Sequence, residues 1–428
     1  MCICSDAGGS TYQPLSDSKP SYLAPELNSG GALDVIVVSQ ADGNLRATEL
    51  FVVFDSLSAP EMVSVAINGE TLEMGEHKLQ ATAAAEPALF AAGQSAVPPP
   101  ELLSRLQKSC LLRHGRNEIC YSIGGARARQ SVRAFLYVWA ASQPAVVFDV
   151  DGTITQSDLA GQLANLIDGS PTHDGICELL CQLHARGYLI MYLTSRPLLG
   201  PAGIERTRRF LFQVAVDAQS GYRMPPAPVL TTTHVSTWQA LASELSGGSK
   251  AFKSTALQTV RDAFQATEDA AANAATTTAA TIAATIANFA GRSAQGVSGL
   301  YAGFGNREKD ALAYLSAGIP PERIFIIDTS SLLVGRSALL PPSTPTDQPT
   351  SKDAPKQRSD GSSGTSRGLL AAQPTWKSYR GMLAVVDQLF PRQTWVTDAA
   401  LVQAIDHFAG LAATHRAMQA DSAKRPLW

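Results

Sequence analysis

The chain has little charge, little histidine and few cysteines. Of its 428 residues only 17% are Asp, Glu, Lys or Arg, and there are seven His and six Cys. The 34 basic side chains against 37 acidic ones leave a net charge of −3, with no basic surplus of the kind a general nucleic-acid binder uses to neutralise phosphates. Six cysteines over this length cannot form a disulfide scaffold, and the absence of any CxxC pair argues against a structural zinc site. The first residues, MCICSDAGGSTYQPLSDSKP, hold no basic region followed by an apolar one, so no secretory signal is expected. The longest uncharged run, Ala270–Gly291, is alanine and threonine interrupted by Asn273 and Asn288, a poor membrane span. A reducing compartment, cytosol or nucleus, follows as the default. What is abundant is apolar surface, 45% of residues, enough for real cores over the roughly three domains that ~150 residues per domain implies.

Residues 1–31 are rich in Ser, Pro and Gly and read as a flexible tail. From residue 32 to 141 short β-branched runs alternate with turn signals. Val35–Val38 and Leu50–Phe54 flank Asp42-Gly43 and predict one hairpin; Asn68-Gly69 predicts a second. Glu118–Ile123 and Val132–Trp139 continue the pattern, which predicts a β-sandwich. The texture changes over residues 144–395. Ala145–Val150 is a continuous apolar strand of the parallel, doubly covered type. Helical patterns at Gly175–Arg186 and Gly203–Val214 alternate with strands at Tyr188–Leu193, Val229–Thr233 and Arg323–Asp328, which predicts a doubly wound α/β domain. Low-complexity stretches at 270–298 and 339–372 read as insertions into it. Ser378–Pro391 is a helix candidate. A final helix within 397–428 carries the apolar stripe Leu401, Ile405, Phe408 and Leu411.

Asp149-Val150-Asp151-Gly152-Thr153 follows the first buried strand directly, where ligands bind in a doubly wound sheet. Two carboxylates two residues apart could serve as nucleophile and general acid/base, or hold Mg²⁺ through oxygen. Thr194-Ser195-Arg196 ends the next buried strand, where a hydroxyl suits a phosphate oxygen. Lys253 lies in a helical stretch and alone reads as a surface lysine. Gly305-Asn306-Arg307-Glu308-Lys309-Asp310 follows a short strand and alone reads as a turn with a helix cap.

In this order the pieces resemble the four motifs of the haloacid dehalogenase phosphatases. More narrowly, DVDGTITQSDLAGQ, THDGICELL, GYLIMYLTSRP, FGNREKDALAY with GIPPERIF, and SYRGMLAVVDQLFP resemble the C-terminal domain of lipins, the Mg²⁺-dependent phosphatidate phosphatases. GGALDVIVVSQADGNLRATELFVVFDSL with INGE resembles the lipin N-terminal domain, and LRHGRNEICYSI the strands before the catalytic motif. The chain departs from the family where Pro14, Pro20 and Pro25 replace an amphipathic first helix and where only about forty residues link the INGE and LRHG strands. Ser195 and Pro197 stand where animal lipins have alanines.

The resemblance implies a haloacid dehalogenase-like α/β catalytic domain with an N-terminal immunoglobulin-like β-sandwich. It implies hydrolysis of phosphatidate to diacylglycerol and phosphate, with Asp149 as nucleophile, Asp151 as acid then base, and Thr153, Thr194 and Lys253 completing the catalytic set. Mg²⁺ would be held by Asp149, Asp151, Asn306 and Asp310, the last also orienting Asn306 or Lys253. Ser195, Arg196 and Arg307 would meet the substrate. A non-catalytic phosphatidate sensor and a phosphatase of soluble phosphomonoesters are the alternatives. A bilayer substrate implies peripheral membrane contact and no nucleic acid. The expected location is cytoplasmic, at the endoplasmic reticulum membrane, with a nuclear fraction. Lys108, Arg113, Arg116, Arg127, Arg129 and Arg133 are the basic residues that could meet anionic lipid.

Overall fold

The computed structural model describes residues 30–40, 42–90, 95–124, 130–156, 171–199, 203–231, 248–265, 299–335 and 374–424. The tail up to residue 29, both low-complexity insertions, Arg127 and Arg129 lie outside the described residues.

The N-terminal region is built from β1 (Gly30–Ala32), β2 (Val35–Ser39), β3 (Leu45–Ala47), β4 (Val52–Phe54), β5 (Glu61–Ile67), β6 (Glu70–Thr71), β7 (Leu79–Ala81) and β8 (Leu89–Phe90). Helix α1 (Pro100–Lys108) and the long strands β9 (Gly115–Ile123) and β10 (Gln130–Ala140) complete it. One sheet runs β3-β2-β10-β9-β5-β7-β8 with β6 beside β5; β1 and β4 form a separate pair. Alternation of side chains explains the core: Val63, Val65 and Ile67, Ile119, Tyr121 and Ile123, and Val132, Ala134, Leu136 and Val138 all face one buried cluster. Leu102, Leu103 and Leu106 of α1 join it.

The hairpin joining Val35–Val38 to Leu50–Phe54 does not form. Asp42 accepts the Asn44 amide at 2.9 Å, tightening the turn, so the chain returns at once as β3, with Val38 opposite Arg46. Val52–Phe54 instead pairs with Gly30–Ala32, so the described strands include two residues placed before the expected boundary. At the second turn Asn68 and Gly69 both have positive φ, 52° and 87°, as a two-residue hairpin requires. Helix α1 has no counterpart in the sequence reading.

The α/β domain follows. Its strands are β11 (Ala145–Asp149), β12 (Leu189–Leu193), β13 (Val229–Leu230), β14 (Leu300–Gly305), β15 (Ile324–Ile327), β16 (Leu332–Gly335) and β17 (Thr375–Lys377), ordered β13-β12-β11-β14-β15-β16-β17. The first five are parallel and the last two antiparallel. Helices α2 (Ile176–Ala185), α3 (Ile204–Arg209, continued by a wider turn over Phe210–Val214), α4 (Gly248–Phe264) and α5 (Glu308–Ser316) connect the parallel strands. From β11 the chain winds outward through β12 and β13, then returns to β14 on the other flank. The carboxyl ends of β11 and β14 therefore mark the switch point where a doubly wound sheet opens a crevice.

Two short helices, α6 (Ser378–Leu383) and α7 (Val386–Leu389), precede the long α8 (Asp398–Lys424). The buried face of α8 is Ala400, Ala404, Phe408 and Ala412; of the expected stripe Phe408 is buried, Leu401 and Ile405 are half-buried, and Leu411 is 46% exposed. Alanines at four-residue spacing let the helix lie close on α2, where Phe408 meets His184 at 5.9 Å.

The strand-rich region and the α/β domain share cores. Ile36, Val38, Tyr137 and Trp139, on the sheet face opposite the first cluster, pack with residues of β11, β12, α4 and α5. Phe51 and Val53 join the cluster around Phe148.

Candidate active site

Asp149 is the last residue of β11, and the chain leaves it through a turn in which Gly152 has φ +80°. A β-carbon at Gly152 would meet the Asn306 amide nitrogen at 2.0 Å, so glycine is required both by the backbone and by the approach of the β14 loop. Asp149, Asp151, Thr153, Thr194, Arg196, Lys253 and Asp310 are all buried together here.

The two aspartates have different partners. Lys253, projecting from α4, donates to Asp149 Oδ1 and to Asp310 Oδ1, each at 2.6 Å. The Thr153 hydroxyl donates to Asp149 Oδ2 at 3.2 Å. Asp151 is instead gripped by Arg196, whose Nη2 and Nε donate to its Oδ1 at 2.8 and 3.1 Å, and by the Thr194 hydroxyl, 2.8 Å from Oδ2. Arg196 lies on the ring of Phe210 and reaches Thr207 of α3. Asp310 accepts the backbone amides of Asn306 and Arg307 at 3.2 and 3.0 Å, so one carboxylate caps α5 and anchors Lys253.

Burial pushes the Asp149 carboxyl up to about 7; Lys253 opposes the rise, and the charges of Asp310 and Asp151 add to it. Burial alone would lower Lys253, but Asp149 and Asp310 outweigh it and hold the ammonium above its usual range. The lysine therefore stays charged beside the carboxylate that needs it.

The sequence-derived set thus converges in space. Thr194 and Arg196, expected on phosphate and substrate, both contact Asp151. Ser195 and Arg307 are half-buried at the same loop ends, and Arg307 immediately precedes α5. Three carboxylates face one ammonium and one guanidinium. Among the described residues no three Asp, Glu, His or Cys side chains converge as a ready metal cage, and the oxygens of Asp149, Asn306 and the Asp151 carbonyl are the hard donors a cation such as Mg²⁺ would draw on. Two side chains against the catalytic loop escaped the sequence reading: His173 contacts the Gly152 carbonyl and Tyr379 that of Thr153. Both lie in quoted segments, THDG and SYRG, but nothing in their spacing ties them to the aspartates.

Residues 101–339, more than half of the chain, match the family model described as LNS2 (Lipin/Ned1/Smp2). The chain is 33% identical over 230 residues to nuclear elongation and deformation protein 1 of Schizosaccharomyces pombe, covering 54% of this chain and 30% of that protein. It is 33% identical over 229 residues to phosphatidic acid phosphohydrolase 1 of Saccharomyces cerevisiae, covering 53% and 23%. It is 29% identical over 234 residues to phosphatidate phosphatase PAH1 of Arabidopsis thaliana, covering 54% and 22%. The similarity therefore spans less than a third of the length of these relatives.

Proposed function

Because the chain belongs to the LNS2 (Lipin/Ned1/Smp2) family, we propose that it is a Mg²⁺-dependent phosphatidate phosphatase, releasing phosphate and diacylglycerol through an aspartyl-phosphate intermediate. The observation that carries this reading is the separation of the two aspartates into distinct environments, which is how one site assigns different roles to like groups. Asp149, held by Lys253 and the Thr153 hydroxyl, is the nucleophile. Its oxygen forms a bond to phosphorus as the bond to the glycerol oxygen breaks. Asp151 gives that departing alkoxide its proton, then takes one from the water that hydrolyses the acyl phosphate. Thr194 and Arg196 hold Asp151 in place for both proton transfers. Lys253 and Thr153 counter the charge on the nucleophile and on the phosphoryl oxygens.

Asp149, the Asp151 carbonyl and Asn306 would hold Mg²⁺, supported by Asp310, and the ion would supply charge neutralisation at the phosphoryl group. Ser195 and Arg307 flank the site as headgroup contacts. The substrate lies in a bilayer, so the protein works as a peripheral visitor to a membrane surface. We place it in the cytoplasm at the endoplasmic reticulum, with a nuclear fraction. Among the described residues no helix is long and apolar enough to cross a membrane. The strand-rich region is read as an immunoglobulin-like sandwich, supported by its large sheet, its small two-stranded sheet and their common core.

The test is phosphate release from phosphatidate in mixed micelles, with and without Mg²⁺, for wild type, Asp149→Asn and Asp151→Asn. A soluble phosphomonoester serves as control. Wild-type turnover that needs Mg²⁺ and vanishes in both variants supports the reading. Preference for the soluble ester, or activity in Asp149→Asn, refutes it.

A further inference from the structure

His173 is completely buried, and both of its ring nitrogens are engaged. Nδ1 lies 2.8 Å from the Ser331 hydroxyl, and Nε2 lies 3.3 Å from the carbonyl oxygen of Gly152. A carbonyl only accepts, so the proton sits on Nε2, and the Ser331 hydroxyl donates to Nδ1. One neutral tautomer satisfies both bonds. Tyr379, also buried, donates its hydroxyl to the next carbonyl, that of Thr153, at 3.0 Å, and its ring meets His173 edge-on at 6.2 Å.

The two side chains come from distant segments that are fastened to each other. The Arg380 amide donates to Asp174 O at 3.2 Å, and its guanidinium reaches Asp174, Glu178 and Asp217. A β-carbon at Gly175 would sit 2.5 Å from the Arg380 amide nitrogen, so only glycine allows this approach. On the other side, Ser378 donates its amide to Ser331 O at 2.7 Å, with Ser331 and Ser378 both held at positive φ, 65° and 62°. Non-glycine residues take that conformation only where their surroundings impose it.

Peptide groups are planar, so fixing the carbonyls of Gly152 and Thr153 fixes the planes on both sides of Thr153. That sets the Thr153 hydroxyl, which bonds Asp149, and the direction in which the chain carries Asp151. Filling this space needed only apolar side chains. Two donors aimed at two consecutive carbonyls do more than fill it. We propose that His173 is a positioning residue of the catalytic loop, acting with Ser331 and Tyr379 to hold Asp149, Asp151 and Thr153 at their working spacing. The effect on turnover rests on the phosphatase reading above.

The test compares full-length wild type with His173→Leu, His173→Gln and Tyr379→Phe. Melting temperature is measured first, then kcat and KM on micellar phosphatidate and on p-nitrophenyl phosphate. His173→Leu is expected to lower kcat about 10- to 100-fold with little change in KM, as loss of an orienting partner does. His173→Gln, whose amide can donate from the Nε2 position, should recover most of that loss at a similar melting temperature. Equal impairment of the Leu and Gln variants, or an unimpaired Leu variant, overturns the proposal. If His173→Leu does not fold, Tyr379→Phe decides, because it removes one oxygen; unchanged kcat there counts against the idea. Wild-type activity on the soluble ester alone would sink the lipid substrate and leave this comparison intact. Hydrogen exchange of the amides at residues 150–156 needs no turnover at all. Faster exchange in the Leu variant than in the Gln variant supports positioning, and equal exchange refutes it.

Discussion

Asp34→Ala is expected to loosen the join between the strand-rich region and the α/β domain. Asp34 lies between β1 and β2, and its carboxylate is buried with three donors from three other elements. Arg208 Nη2 of α3 lies at 2.6 Å, the Phe135 amide of β10 at 2.9 Å and the Val229 amide of β13 at 2.8 Å. The Arg208 and Asp34 side chains are 1% and 0% exposed, and Arg208 also donates to the Ala32 carbonyl. Alanine would leave the buried guanidinium with only the half-exposed Glu205 as counter-charge, and breaking a buried pair from one side costs ~3–5 kcal/mol. The two amides losing their acceptor push the cost toward the upper end of that range, since each orphaned buried donor carries its own desolvation penalty of ~1–3 kcal/mol. Against a total stability of ~5–15 kcal/mol this is a large fraction. Equilibrium urea unfolding of wild type, Asp34→Ala, Arg208→Met and the double variant measures it. The double variant should be more stable than the sum of the single losses implies, because it leaves no unpaired charge in the interior, Glu205 being half-exposed. An Asp34→Ala loss below ~1 kcal/mol, or a strictly additive cycle, would refute the reasoning.

Lys253→Met should lower kcat about 100- to 1000-fold, the usual loss when one preorganised charge partner is removed; a loss under tenfold in micellar phosphate release would contradict its place beside Asp149. A fragment of residues 144–395 should be insoluble without residues 30–140, because Ile36, Val38, Tyr137 and Trp139 cover part of its core. A soluble, fully active fragment starting at Pro144 would show otherwise. Burial pushes the His184 imidazole down to about 4, below the ~6.5 of an unfolded chain. Between those values the unfolded state binds the additional proton, so this contribution is complete above about pH 6.5 and declines as pH falls toward 4. His184→Gln should flatten that part of the stability curve, and urea midpoints with the same slope in both proteins would disprove it.

The sequence carried the parallel strands well because each is an uninterrupted apolar run ending in chemistry, as Ala145–Asp149 shows. It misassigned the first hairpin because periodicity marks a strand and says nothing of its partner. Leu45–Ala47 is too short and polar to announce itself, while Val52–Phe54 pairs across the fold with glycines. Of the packing face of α8 it found Phe408 but not Ala400, Ala404 and Ala412, because alanine is nearly silent in a hydrophobic pattern, yet small side chains set the closest helix contacts. That the carboxylates, lysine and asparagine would come together was readable from motif order. That Arg196 serves Asp151 was not, since an arginine after a strand looks the same whether it faces substrate or a neighbouring acid. His173 and Tyr379 act through bonds to backbone carbonyls, which leave no residue-type signature.

Strand β16 pairs with β17, setting Leu332 opposite Lys377 and Val334 opposite Thr375, although residues 336–374 intervene in the chain. The two ends of that stretch are one ladder spacing apart, and the ladder, together with the fastening of Arg380 to Asp174 and Glu178, specifies where the last fifty-odd described residues sit. What registers the last segment on the sheet is thus the ladder and the Arg380 ion pairs, contacts made by residues far apart in the chain, and these carry Tyr379 to the loop beside Asp149.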